Sequence, residues 1–381
     1  MKKLLFVHRS FPGQFRWILP ELERMNLDIV FICNEKTNWP SRKTNIIELK
    51  ADVSATSIIE SGRELSSAVV DAGLSLLNAG WIPDVIYSHS GWGVWKIADI
   101  FPQAKLMLYV EWWYTNTNVR YHHWTEKKIG EKEMIVPNLI NANTAEGINR
   151  ADITISPTVW QRKQFPKKLR TRISVLNDGF PLQSFVSAKT ISTSTSPRIA
   201  FISRGFEATR GIIALSTLID KIDPSIQIEL IADYRCVYDD KSDWDEYSAE
   251  IFEKIKAKEN AIISDSKSYD EYLDVLRSSD LHLYLSRPFV LSWSFIESSL
   301  VGSKVVSLDN CATFEKTHSN HVNVKTVAQL ASAINSLVDK TALDQLRKSN
   351  NEWLETIELQ EFRKKHCIKE HTAGVLRLLM S

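Results

Sequence analysis

No stretch of about eighteen consecutive apolar residues occurs in the chain, so no segment reads as a bilayer-spanning helix. Cysteine is scarce. Cys33, Cys236, Cys311 and Cys367 are widely scattered and no two form a Cys-x-x-Cys pair, which gives no basis for a disulfide framework or a structural zinc site and fits a reducing cytoplasm. Charge of one sign is also missing: 47 Lys and Arg face 46 Asp and Glu, for a net charge of +1. A general polyanion binder carries a larger basic surplus, so nucleic acid is not an expected partner. The opening Met1-Lys2-Lys3-Leu4-Leu5-Phe6-Val7 begins like a secretory signal, but its apolar run stops after four residues at His8-Arg9. A secretory core needs about seven or more. The expected location is the cytoplasm, including the inner face of the cell membrane.

Apolar residues make up 44% of the 381 and charged residues 24%, enough for two globular cores and unlike disordered, collagenous or coiled-coil chains. Twelve tryptophans is a high count; aromatic faces stack on sugar rings, although most of these rings are expected in the core. Short apolar runs alternate with helix-period segments. Strands are expected over residues 3–8, 28–33, 84–87, 105–110 and 152–156, with helices over 15–25, 57–77 and 137–150 and one from 159. The pattern breaks in the Ser/Thr-rich stretch 187–197, which reads as a linker, and then restarts. Strands at 198–203, 227–232, 261–264, 281–285 and 304–308 alternate with helices at 211–222, 244–257, 269–277 and 294–301, and helices at 327–338, 342–356 and 360–379 close the chain. Such alternation predicts an α/β chain of two Rossmann-like domains, 1–186 and 198–356, facing an interdomain cleft. A helical tail, 357–381, is expected to pack back on the first domain. Ligands bind outside the carboxyl ends of parallel strands, so site residues belong on the loops there.

Three constellations stand on such loops. Ser10-Phe11-Pro12-Gly13-Gln14-Phe15 follows the first strand, and its glycine lets backbone amides approach an anion or a sugar closely. It is a single glycine, not Gly-x-Gly-x-x-Gly, so no dinucleotide fingerprint is present. Ser203-Arg204-Gly205 through Arg210-Gly211 follows the first strand of the second half, with two guanidinium groups suited to phosphate oxygens. Arg287-Pro288-Phe289-Val290-Leu291-Ser292-Trp293-Ser294 opens a helix whose amides suit a phosphate, and Glu297 inside it can accept bonds from a ribose diol. Read alone, each pattern also has a plain structural explanation: a tight turn, surface arginines beside a turn glycine, and a carboxylate complementing the helix dipole.

Taken together, the Phe11–Phe15 loop, Pro288–Ser294 with Glu297, Asp84 to Gly93, Ser156-Pro157-Thr158-Val159-Trp160-Gln161 and Asn177-Asp178-Gly179 resemble the retaining glycosyltransferases of family four, which have the GT-B fold. More closely they resemble a bacterial subgroup with those loops. The resemblance implies a nucleotide-diphosphate sugar donor held mainly by the second domain. It puts Arg204 and Arg210 on the diphosphate, Gly13 and Leu291, Ser292, Trp293 and Ser294 around the donor, and Glu297 on the ribose. Two departures matter. The first glutamate of the family's Glu-x7-Glu motif is Phe289 here, which puts the donor sugar in doubt. Where many relatives place a histidine beside the donor sugar, this chain has Glu111, in Val110-Glu111-Trp112-Trp113-Tyr114. Glu111 is the candidate carboxylate for a sugar hydroxyl or for charge developing at the anomeric carbon, with a structural pairing to Arg120 or a lysine as the alternative.

The implied mechanism is front-face transfer with retention, assisted by Glu111, Arg204 and Arg210 and needing no metal or other cofactor. Asp239-Asp240 is the only acidic pair resembling a metal-binding Asp-x-Asp, and it sits in a charged stretch. His89, Trp92, Trp112 and Tyr114 are the acceptor-side candidates, with Trp113 and His122-His123 nearby. The stretch 160–172 carries six cations and no acid, which suits an anionic membrane surface beside a lipid-linked acceptor or simply a solvated face. The expected activity is transfer of a hexose-type sugar, from UDP in the first instance, into a cell-surface polysaccharide or lipopolysaccharide. The alternatives are a sugar-nucleotide epimerase of the same fold and a non-catalytic nucleotide- or glycan-binding subunit.

Overall fold

Strands that read as unbroken apolar runs are covered on both faces. The computed structural model describes residues 2–37, 43–51, 58–91, 94–118, 130–185, 194–206, 210–233, 241–264, 267–286, 289–308 and 318–380. They divide into two units. Unit 1 comprises Met1–Asn116, Gly130–Pro181 and Lys364–Ser381, and unit 2 consists mainly of Leu182–Arg363.

In unit 1, β1 (Lys2–Val7), β2 (Ser10–Phe11), α1 (Ile18–Glu23), β3 (Leu27–Cys33), β4 (Glu35–Lys36) and β5 (Asn45–Glu48) come first. Then follow α2 (Ile58–Asn78), β6 (Val85–His89), β7 (Lys105–Tyr109), α3 (Ile135–Arg150), β8 (Ile153–Ser156), α4 (Val159–Gln164), α5 (Lys167–Arg170) and β9 (Ile173–Val175). Seven strands form one sheet in the order β5-β3-β1-β6-β7-β8-β9, every pair parallel. Alternation along β1 splits its side chains between two cores. Leu5 and Val7 join Leu65 and Val69 of α2 and Ile97, while the Phe6 ring meets Phe15, Phe31 and Tyr87 at centroid distances of 4.9, 5.9 and 5.6 Å. The order places β1, β6 and β7 side by side at the centre, so their carboxyl ends open onto one place.

Unit 2 repeats the plan with β10 (Arg198–Gly205), α6 (Ile212–Ile219), β11 (Gln227–Asp233), α7 (Lys241–Lys256), β12 (Ala261–Ser264) and α8 (Tyr269–Ser278). Next come β13 (Leu281–Tyr284), α9 (Trp293–Leu300), β14 (Lys304–Leu308), β15 (His321–Val324), α10 (Val327–Asn335) and α11 (Lys340–Leu354). Its six parallel strands run β12-β11-β10-β13-β14-β15. Ser268 and Glu271 form a reciprocal capping box at the start of α8. Buried Asp280 takes a two-point ion pair from Arg347 of α11, at 2.8 and 3.2 Å, and also accepts from the Arg198 amide at 3.0 Å. Arg347 reaches on to the Ser194 carbonyl at 3.0 Å. Of the stretch 187–197 expected as a linker, residues 187–193 lie outside the described residues.

The tail differs from the single helix expected over 360–379. It is two helices, α12 (Ile357–Lys365) and α13 (Ile368–Met380). They part where Cys367 bridges to Phe180, with the Phe180 amide donating to the His366 carbonyl at 2.8 Å and the Ile368 amide to the Phe180 carbonyl at 3.0 Å. Backbone groups used in that bridge cannot also serve a helix. The His371 ring donates from Nδ1 to the Asn177 carbonyl at 2.7 Å, His366 Nδ1 lies 3.2 Å from the Asp178 carbonyl, and α13 packs on α1. The turn Asn177-Asp178-Gly179 is thus held by the last helix. Among the described residues no helix is long and apolar enough to cross a membrane.

Burial pushes the His366 imidazole down to about 3 and lowers His371 as well. The folded chain then refuses a proton that the unfolded chain accepts near 6.5, so this stability is complete above that value and drains away as the pH falls toward 3. Melting temperature, followed by circular dichroism, should drop by a few degrees between pH 7 and pH 5, above the range where carboxylates titrate. A flat profile over that window contradicts the neutral latch.

Candidate active site residues in each unit

In unit 1 the site grows from the ends of β1, β6 and β7. His8 follows β1, His89 ends β6 and Glu111 lies just beyond β7. Gly13, in the turn after β2, has φ +51°, and a Cβ there would overlap the His8 imidazole. Glycine is required twice over, by the left-handed backbone and by the close approach of the ring. That turn delivers Gln14, whose Nε2 donates to Glu111 Oε1 at 2.9 Å, while its Oε1 lies 2.5 Å from His8 Nε2. His89 Nε2 stands 3.2 Å from Glu111 Oε2, and the His8 and His89 rings meet edge to face at 4.9 Å. Burial pushes the Glu111 carboxyl up, but the hydrogen bond and charge of His89, with Gln14, outweigh it, so the carboxyl falls below its ordinary value. Burial first, then the neighbouring His89, pushes His8 down to about 3.

The motifs around this cluster acquire local reasons. Thr158 caps α4 by accepting from the Gln161 amide at 3.0 Å, and buried Gln161 donates from Nε2 to the Glu111 carbonyl at 3.2 Å. Tyr109 stacks on His89 and donates its hydroxyl to Asp178 at 2.9 Å, tying the Asn177-Asp178-Gly179 turn to the same network. His8, Gln14, Gln161 and Tyr109 were not among the residues expected at the site. Beside the cluster, Asn141 clamps the Tyr114 backbone with bonds of 2.9 and 2.7 Å. This helps form an open pocket of about 470 Å³ walled by Trp113, Tyr114, Asn116, Glu131 and Asn138. Tyr114 is therefore presented on a surface.

Trp112 is a correction. It is 7% exposed and its ring faces Trp160 at 6.4 Å, because the residue after Glu111 turns back into the core as the chain leaves β7. Trp92 and His122-His123 lie outside the described residues. In the basic stretch, Arg162 and Arg170 donate to the carbonyls of Ile173 and of Lys163 and Phe165, and Arg172 bonds to Asn149. These arginines hold loops, while Lys167 and Lys168 are exposed.

In unit 2 the two arginines expected to act together have different surroundings. Arg204 is exposed near the end of β10, where the register with β11 is irregular between Ile202 and Gly205. Such an irregularity re-aims side chains. Arg210 is 7% exposed: its Nη1 donates to Ser292 Oγ at 2.7 Å and its guanidinium lies 5.2 Å from the centre of the Phe289 ring. Gly211, with φ +88°, makes this possible, since a Cβ there would overlap the Leu285 backbone at the end of β13. Phe289 thus serves as the platform beneath Arg210.

The start of α9 is less open than expected. The Ser292 amide donates to the Tyr284 hydroxyl at 3.0 Å, because that phenol reaches across from β13. Leu291 and Trp293 are half-buried and Ser294 is buried. The amides of Trp293 and Ser294 fall in the first turn, where a helix supplies no internal acceptor. Glu297 is 4% exposed, and its two oxygens accept from Tyr269, at 2.8 Å, and from Tyr272. Asp239-Asp240 lies outside the described residues. Among the described ones, no three His, Cys, Asp or Glu side chains gather as a metal site.

Two wholly parallel sheets with helices between their strands are shared with solved structures along almost their entire length. HepE of Anabaena, in complex with UDP and glucose, is 13% identical with a TM-score of 0.69, each chain covered in full. The fold is GT-B. Sucrose-phosphate synthase of Thermosynechococcus elongatus is 13% identical with a TM-score of 0.71, over 99% of this chain and 98% of the other. WaaG, a glycosyltransferase involved in lipopolysaccharide biosynthesis, is 11% identical with a TM-score of 0.68, over 95% and 98%. Residues 26–185 match the model of the Glycosyl transferase family 4 group. No curated protein matches the sequence.

Because Gly13 is required sterically and conformationally, Gly13→Ala should cost about 1–3 kcal/mol of stability in urea unfolding. A stability equal to that of the parent chain would contradict the packing of His8 against this turn.

Proposed function

We propose that the protein is a retaining glycosyltransferase. It moves a hexose-type sugar from a nucleotide diphosphate, UDP in the simplest case, to a glycan or lipid-linked acceptor of a cell-surface polysaccharide or lipopolysaccharide. The observation that carries this reading is the cluster in unit 2 where Arg210, held by Ser292, stands beside the first turn of α9, the helix that bears Glu297. Cation and first-turn amides together suit a pyrophosphate. The family-four match over residues 26–185 and the UDP and glucose complex of HepE support the same reading.

In this reading Arg210 takes the diphosphate, Arg204 adds a second positive charge, and the amides of Trp293 and Ser294 complete the anion contacts. Glu297, aimed by its two tyrosines, accepts from the ribose hydroxyls. Gly13 lets the backbone approach the donor. Glu111, ionised, meets a hydroxyl of the donor sugar or the positive charge that develops at its anomeric carbon. His89 and Tyr114 face the acceptor. The bond from anomeric carbon to phosphate oxygen breaks as the acceptor oxygen bonds on the same side, and the acceptor's proton passes to the leaving phosphate. Positioning and charge neutralisation supply the rate, with no enzymic nucleophile and no metal in the scheme. Work at the cytoplasmic membrane face, with Lys167 and Lys168 toward anionic lipid, is part of the proposal.

Arg210→Ala should weaken UDP-glucose binding by about 2–3 kcal/mol, the scale of a charge-assisted contact; equal affinities in calorimetry would remove the phosphate role. Glu111→Gln should lower turnover much more than donor affinity, and equal losses in both would make the carboxylate structural. A screen of UDP-, GDP- and dTDP-sugars read by mass spectrometry should yield a glycosylated acceptor. A free altered sugar would identify an epimerase instead, and binding without bond cleavage a non-catalytic subunit.

A further inference from the structure

The cluster around Glu111 has a direction that its distances determine. An ionised carboxylate only accepts, so the Gln14 group 2.9 Å from Glu111 Oε1 is the amide nitrogen. The amide oxygen then faces His8 Nε2, at 2.5 Å, and that nitrogen carries the proton. The other ring nitrogen, Nδ1, accepts from the Ser10 amide at 2.9 Å, which closes the chain of bonds on the backbone of β2. The Ser10 carbonyl also stands 2.6 Å from Nδ1, where a cationic His8 would donate, but burial and His89 oppose that charge. One tautomer of His8 therefore fixes one orientation of the Gln14 amide.

We propose that Gln14, oriented by the His8 ring, is a positioning residue that aims the Glu111 carboxylate. Gly13 belongs to the same device, since only a residue without a Cβ lets the His8 ring lie against this turn. The other groups facing Glu111 are His89 on β6, Tyr109 on β7 with Asp178 behind it, and Gln161 on α4, which bonds the Glu111 backbone carbonyl. Gln14 donates to one carboxylate oxygen, and His89 Nε2 stands 3.2 Å from the other. Removing Gln14 takes away one of the groups that oppose burial, leaving His89 and His8, which raises the affinity of Glu111 for a proton. The inference rests on the proposed role of Glu111 for its catalytic meaning, but not for its geometry.

The test uses the full chain labelled with carboxyl-13C glutamate and ring-15N histidine, with the Glu111 signal assigned through Glu111→Gln. The wild type should show His8 as the neutral Nε2–H tautomer from pH 7 down to pH 5. Gln14→Leu should move the Glu111 midpoint upward by about one pH unit, and His8→Leu, which frees the Gln14 amide to rotate, should move it in the same direction by less. With a donor that turns over, Gln14→Leu should lower kcat by about tenfold with little change in KM, and shift the acid limb of the kcat profile with the midpoint. An unmoved midpoint in Gln14→Leu overturns the inference, as does an Nδ1–H or cationic His8 in the wild type; the latter is read without any variant, should Gln14→Leu fail to fold. If the midpoint moves while Glu111→Gln retains full turnover, the positioning device stands and the catalytic reading of Glu111 falls.

Discussion

A carboxylate whose charge is opposed by partial burial is held between a histidine and an amide at the carboxyl ends of three adjacent parallel strands. Everything proposed for unit 1 depends on that balance. The strand order puts β1, β6 and β7 together, so His8, His89 and Glu111 form one cluster although His8 and Glu111 are more than a hundred positions apart. Beneath it the aromatic packing of Phe6, Phe15, Phe31 and Tyr87 gives the loop after β1 a firm seat. Above it Gly13 removes the one atom that would separate His8 from the turn. The negative charge survives because Gln14 and His89 offset its desolvation, one carboxylate oxygen each.

Unit 2 handles charge the opposite way. Its cation, Arg210, is buried against an aromatic face and a serine hydroxyl. Phenylalanine at position 289 packs against that guanidinium without neutralising it, where a glutamate would offset its charge. Glu297, in turn, is fixed by two tyrosines of α8, so its carboxylate has a set direction.

Much of the architecture was legible because buried parallel strands are unbroken apolar runs and the helices between them carry a clear period. Among the strands that escaped, β2 and β4 have only two residues each, and β5, β9 and β15 are short and lie at sheet edges, where Asn45, Glu48 and Asn323 interrupt the apolar signal. The tail misled because helix periodicity continues through His366 and Cys367, and only the bridge to Phe180 breaks it. At the site, the loops were found by motif but the partners were not. Gln14, Gln161 and Tyr109 act through contacts across the sheet, and no local spacing encodes a contact between residues 14 and 111. Trp112 read as a binding aromatic from its neighbours, yet burial next to Trp160 decided its place. Arg204 and Arg210 looked like a pair in sequence, and the irregular end of β10 separates their environments.

The most direct measurement follows the Glu111 carboxyl 13C signal while ligand is added at neutral pH. The nucleotide sugar that turns over should shift it strongly, and the matching nucleoside diphosphate alone should leave it in place, because the proposed donor pose brings only the sugar to this carboxylate. Equal shifts from both ligands, or none from either, would contradict a role for the ionised Glu111 at the transferred sugar.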